Sequence, residues 1–135
     1  VSIMNDNVTS GFNPTVLIVD DSMLSRKLIA ELLNGEDFRI IFGKSGKDAI
    51  EIISDIQVDC LLLDLLIPDI DGFQVLEYIQ KNSLDVPSII ISADIQETTR
   101  KRVESLGAYG FLNKPPKRED LVKAVKDSIS KKFGG

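Results

Sequence analysis

The chain lacks histidine and tryptophan, has one cysteine, and carries only 6% aromatic residues among its 135 positions. Without histidine there is no Ser–His nucleophile, no imidazole ligand for zinc and no phosphohistidine. The lone cysteine, Cys60, cannot form an internal disulfide, which suits a reducing, cytoplasmic compartment. Sitting in an apolar run, it reads as a small buried hydrophobe. No apolar run approaches the roughly 20 residues that a membrane-crossing helix needs, so no membrane insertion is expected. Positive charge is also scarce: 16 Lys and Arg against 21 Asp and Glu leave a net charge of −5. Direct nucleic-acid binding, which rests on neutralising phosphates, is therefore not expected. From Lys114 onward the balance reverses to seven Lys and Arg against three Asp and Glu, and this reads as a solvated helix face.

What remains is an ordinary globular composition, 43% apolar and 27% charged. The length favours one domain with a core that needs no staples. Residues 1–13 are polar and aperiodic, without the basic-then-apolar order of a signal peptide, and read as a flexible tail. Residues 14–132 form the domain, and 133–135 an end or the start of a linker. Short apolar runs alternate with helix-period segments. Strands are expected at Val16–Val19, Phe38–Phe42, Val58–Leu63, Pro87–Ile91 and Tyr109–Asn113. The first helix, capped by Asp21 or Ser22, carries Leu24, Leu28 and Leu32 on one face. The second starts with a Ser45–Asp48 capping-box pattern. The third carries Phe73, Leu76 and Ile79. The fourth, marked by Ile95, Val103 and Leu106, is thin in apolar anchors. The fifth carries Leu121, Val125 and Ile129. Alternating strands and helices imply a doubly wound α/β fold with a five-stranded parallel sheet covered on both faces.

Four of the strands deliver polar groups at their carboxyl ends. The first ends in Asp20-Asp21, the third in Asp64, the fourth in Ser92 and the fifth in Lys114-Pro115. In an open parallel sheet that edge is where ligands bind. Three carboxylates, a hydroxyl and an ammonium suit holding Mg²⁺ while a phosphoryl group moves onto a carboxylate. Three other patterns fail. Gly43-Lys44-Ser45 lacks the leading glycine of a phosphate loop, because Phe38 stands there. Asp69-Ile70-Asp71-Gly72 lacks the first and last ligands of an EF-hand, where Ile67 and Tyr78 stand. Asn7-Val8-Thr9 is a glycosylation sequon that matters only in a secreted protein.

With Pro68 and Asp71-Gly72 between the third strand and its helix, the set resembles a response-regulator receiver domain, the CheY-like, flavodoxin-like (βα)5 fold of two-component signalling. The resemblance covers about residues 15–132. It implies that Asp64 is the phosphoacceptor, and that Asp21, Asp64 and the backbone carbonyl of Leu66 hold Mg²⁺ with Asp20 acting more through water. It also implies that Lys114 and Ser92 contact the phosphoryl oxygens and that Lys114-Pro115 is a cis peptide. Pro116 departs from the aromatic common at its position. The donor would be a sensor histidine kinase, a phosphotransfer protein or acetyl phosphate.

The resemblance further implies a switch of Ser92 and Phe111 that alters the face made by the fourth helix, fifth strand and last helix. An output protein or domain, or a second copy of the chain, would bind there. Met23, Leu66 and Asp94 are expected at the mouth of the site. Catalysis would be limited to the chain's own phosphorylation and dephosphorylation, so it is not read as an enzyme with a separate substrate. Competing classes fit less well. An aspartate-nucleophile phosphatase needs a second acid two residues after its nucleophile, and Leu66 stands there. A flavin carrier needs a hydroxyl- and glycine-rich loop where Asp20-Asp21 stand. A pseudo-receiver would not need the full acid set, and a receiver portion of a longer regulator stays open.

Overall fold

The computed structural model describes residues 13–94 and 96–132, with the Lys132 side chain excepted. The expected tail therefore falls outside the described residues apart from Asn13, as do Ile95 and residues 133–135. Strands β1 (Thr15–Val19), β2 (Arg39–Gly43), β3 (Cys60–Leu63), β4 (Ser88–Ser92) and β5 (Gly110–Asn113) alternate with helices α1 (Met23–Leu32), α2 (Gly46–Asp55), α3 (Gly72–Lys81), α4 (Glu97–Ser105) and α5 (Arg118–Lys132). The strands pair in parallel in the order β2-β1-β3-β4-β5. This is the expected doubly wound (βα)5 architecture, with strand ends shifted by one or two residues.

The sheet lies between two apolar layers. On one face Leu17, Val19, Leu61, Leu63 and Ile90 meet Ala49 and Ile53 of α2, Val75, Leu76 and Ile79 of α3, and Val103 of α4. On the other, Val16, Ile18, Cys60, Leu62, Ile89 and Ile91 meet Ile29 and Leu33 from α1 and its end, and Leu121, Val125 and Ile129 of α5. Strands β1, β3 and β4 are buried at every position, which is why Val16–Val19, Cys60–Leu63 and Ile89–Ile91 read as unbroken apolar runs. The edge strands β2 and β5 are mixed.

Two local expectations need correction. The stripe of α1 that meets the sheet holds Ile29 and Leu33, whereas Leu24 and Leu28 face solvent at 78% and 43% exposure. Successive helix residues are about 100° apart, so the stripe one position earlier is rotated off the sheet. Leu32 is only partly buried against the same layer. In α2, Ser45 Oγ accepts the Asp48 N–H at 3.0 Å, as expected of a cap. The Asp48 carboxylate, however, reaches the N–H of Lys44 and not that of Ser45, so the reciprocal box does not close. A full capping box forms at α3, between Asp71 and Gln74.

Candidate functional site

Strand order reverses between β1 and β3, and the crevice at such a point is the usual ligand site of an open α/β sheet. Register aligns Val19 with Leu63 and Ser92 with Asn113. The backbone ladder continues one step beyond the strands: Asp64 N–H donates to Val19 O at 3.0 Å, and Lys114 N–H to Ser92 O at 2.9 Å. These bonds fix the Cα positions of Asp64 and Lys114 before any side chain is considered.

Carboxylate oxygens of Asp20, Asp21 and Asp64 lie within 4.8 Å of one another. Like charges so close repel, which favours a cation among them. Lys114 Nζ supplies one, donating to Asp20 Oδ2 at 2.7 Å and to Asp64 Oδ2 at 2.9 Å. One ammonium thus bridges the Asp20 and Asp64 carboxylates. Asp20, 2% exposed, also accepts the Ser25 hydroxyl at 2.6 Å and the Ser22 N–H at 2.9 Å. Burial opposes its charge, but bonds from Lys114, Ser25 and Ser22 prevail and hold its carboxyl below the usual value of 3.8. Burial likewise opposes the charge on Lys114, and Asp20 and Asp64 overcome it, raising the ammonium above its ordinary 10.5. Asp21 is exposed and, among the described residues, takes no hydrogen bond or ion pair.

The loop from Asp64 to Asp71 leads from this cluster to α3. Leu65 and Ile67 are buried while Leu66, between them, is 81% exposed. Leu66 N–H donates to Asp64 Oδ1 at 3.3 Å. The Leu66 carbonyl accepts no hydrogen bond among the described residues. Gly72 closes the loop by donating to Leu65 O, and a Cβ there would lie 2.7 Å from Leu65 Cα. The Lys114–Pro115 peptide is cis, as expected, and Pro116 is buried.

Ser92, on the neighbouring strand, is 2% exposed and its Oγ accepts the Asp94 N–H at 3.1 Å. No acceptor for the Ser92 hydroxyl proton stands among the described residues. The Asp94 carboxylate binds the Gln96 N–H and the Thr99 hydroxyl, holding the start of α4. The next residue, Arg100, lies 4.9 Å over the ring of half-buried Phe111. The structure therefore joins Asp20, Asp21, Asp64 and Lys114 in one cluster and links Ser92 to α4 instead. Sequence reasoning missed Ser25 and Arg26, whose hydroxyl and guanidinium hold the Asp20 side chain and carbonyl. The signal was their helical spacing after Asp20-Asp21. It also missed the buried anchors Leu65 and Ile67.

Known proteins agree with this geometry. The family profile described as response regulator receiver domain matches residues 16–126. Response regulator RR06 of Streptococcus pneumoniae is 34% identical over 118 residues, 87% of this chain and 54% of that protein. The two-component response regulator ORR3 of Oryza sativa subsp. indica is 31% identical over 121 residues, 87% of this chain and 92% of its own length. The chain thus spans about half of RR06 and nearly all of ORR3. A signal receiver domain from Vibrio parahaemolyticus superposes with a TM-score of 0.87 at 29% identity, covering 90% of this chain and 94% of that one. With strand order, acidic crevice and profile match in agreement, the chain belongs to the response regulator receiver domain family.

Proposed function

We propose that Asp64 accepts a phosphoryl group from a sensor histidine kinase, a phosphotransfer protein or acetyl phosphate, and that the change reaches the face formed by α4, β5 and α5. The observation that carries this reading is the clustering of three carboxylates with Lys114 bonded to two of them at the carboxyl edge of the sheet. An Asp64 carboxylate oxygen forms the new bond to phosphorus as the bond to the donor breaks, and the donor leaves with its electron pair. Lys114, already bonded to Asp64, follows the charge onto a phosphoryl oxygen. Among the described residues the Ser92 hydroxyl proton has no acceptor, and it would be donated to another phosphoryl oxygen.

The donor set fits Mg²⁺, which takes hard oxygen ligands and few carboxylates. Asp21 and the Leu66 carbonyl have no protein partner among the described residues, and Asp64 keeps oxygen capacity. They would hold the ion directly. Asp20 is already satisfied by three donors and would act through water. Bound there, Mg²⁺ would neutralise charge as the phosphoryl group transfers.

When Ser92 turns toward a phosphoryl oxygen, the Asp94 N–H loses its acceptor, and the grip on α4 through Asp94 and Thr99 changes with it. Arg100 and Phe111 lie at the next step, so they form the output end of the switch. A cytoplasmic protein or attached domain, or a second copy, would read that face. The chain's catalysis is confined to its own phosphorylation and dephosphorylation. Intact mass after acetyl phosphate treatment tests the reading: a phosphoryl adduct that needs Mg²⁺ and is absent in Asp64→Asn supports it, and an adduct that persists in Asp64→Asn overturns it.

A further inference from the structure

The β3–α3 loop is attached to the start of α2 by contacts that the phosphoryl chemistry alone does not require. Gly46 N–H donates to Pro68 O at 3.4 Å, and Lys47 N–H donates to Asp69 Oδ1 at 3.0 Å. Asp48 N–H goes to the Ser45 hydroxyl. The first three amides of α2 are orphans of the helix hydrogen-bond pattern. The loop satisfies two of them and the cap the third. Asp69 therefore places its carboxylate at a helix N-terminus, where negative charge is favoured.

Two backbone features make this attachment specific. Asp69 has φ +61, a left-handed conformation that Asn, Asp and Gly tolerate best. Its carboxylate also accepts the N–H of Ile70. Across the contact, Gly46 lies so close to the loop that a Cβ would sit 1.8 Å from Ile70 O and 2.6 Å from Ile70 C. Both obstacles are backbone and cannot swing away. The pinned segment begins two residues after Leu66, and buried Ile67 lies between.

We propose that Asp69 and Gly46 are positioning residues for the cation site: together they fix the β3–α3 loop on the N-terminus of α2 and so hold the Leu66 carbonyl in place. The proposal rests on the reading of Leu66 as a ligand and assigns its placement to α2, an element that contributes no ligand itself. Partners that orient metal ligands carry about 10–100-fold in metal affinity.

The test compares wild type, Asp69→Gly and Asp69→Asn in the full chain. Glycine tolerates the positive φ but removes the acceptor, whereas asparagine tolerates it and keeps a carbonyl for Lys47. Mg²⁺ affinity is measured by calorimetry, and amide exchange at residues 66–70 is measured without metal. Asp69→Gly should weaken Mg²⁺ about tenfold, the lower end of that range, and speed exchange at residues 66–70. Asp69→Asn should restore both to near wild type. Wild-type affinity and exchange in Asp69→Gly would overturn the proposal, as would an Asp69→Asn chain as impaired as Asp69→Gly. If wild type binds no Mg²⁺, the metal reading under the proposed function fails. Exchange then decides the loop assignment on its own: faster exchange in Asp69→Gly upholds the pin, and unchanged exchange removes it.

Discussion

The two sides of the acidic crevice are built differently. On the β3–α3 side, the loop is tied at both ends and in the middle. Leu65 and Ile67 sit in the core, Pro68 and Asp69 cap α2, and Asp71 and Gly72 open α3. On the β4–α4 side, α4 has one fully buried residue, Val103, and its cap residue Gln96 makes no side-chain cap bond. Surface contacts hold the rest of α4: Asp94 with Thr99, Arg100 over Phe111, and Arg102 3.8 Å over Phe73. A helix with few buried contacts opens at low cost, and moving elements come from that end of the stability range. The difference suits the proposed function, in which the cation ligands would stay in place while α4 would carry the change outward.

The comparison breaks most visibly at Gly46. Gly46→Ala should destabilise the protein by about 1–3 kcal/mol, the usual cost of overpacking against a neighbour that cannot move. Urea unfolding would read this, and an unchanged midpoint would mean the loop is not pinned there. Next in size is the α4 anchor. Val103→Ala should raise amide exchange across 97–105 well before exchange rises in α3. Uniform acceleration in both helices would show that α4 is no weaker than its neighbour. Smaller again is Arg100→Ala, which removes a cation–π contact worth about 0.5–1 kcal/mol at an exposed site. Faster exchange at 97–105 with little change in global stability is expected, and no change would remove Arg100 from the link to Phe111.

The smallest effect should come from outside both sides, where Glu36 joins Arg118 and Lys126 between the end of α1 and α5. The bond from Lys126, against a lesser cost of burial and with help from Arg118, holds Glu36 below its ordinary 4.5. A lowered carboxyl contributes stability above 4.5 that is lost as pH falls through its folded value. Glu36→Gln should therefore flatten the acid limb slightly and matter less in high salt. An equal acid limb in both chains would assign no role to this pair.

Much of the site was legible because its residues are defined by position along a strand. Asp20, Asp64, Ser92 and Lys114 each terminate an apolar run, so counting to the end of the run places them at one edge. Leu24, Leu28 and Leu32 misled because α1 carries two apolar stripes about one residue apart, and periodicity does not say which one meets a sheet. Leu33→Ala should cost about 2–5 kcal/mol, whereas Leu24→Ala should stay within about 0.5 kcal/mol. Denaturation of the two variants checks the reversal. Asp69 and Gly46 were invisible for another reason. Their contact joins residues more than 20 positions apart in sequence, and nothing local in Ser45-Gly46-Lys47 announces a loop lying on it. The Asp69-Ile70-Asp71-Gly72 run suggested a failed calcium loop. The structure gives its acids a different use, as caps of α2 and α3.

The most direct test is to locate the phosphoryl group. After treatment with acetyl phosphate and Mg²⁺, borohydride reduces an acyl phosphate on aspartate to homoserine, which peptide mass spectrometry then places in the sequence. Homoserine at position 64 alone is the expected result. Homoserine at 20 or 21, or at none of the three, would contradict the assignment of Asp64 as the acceptor.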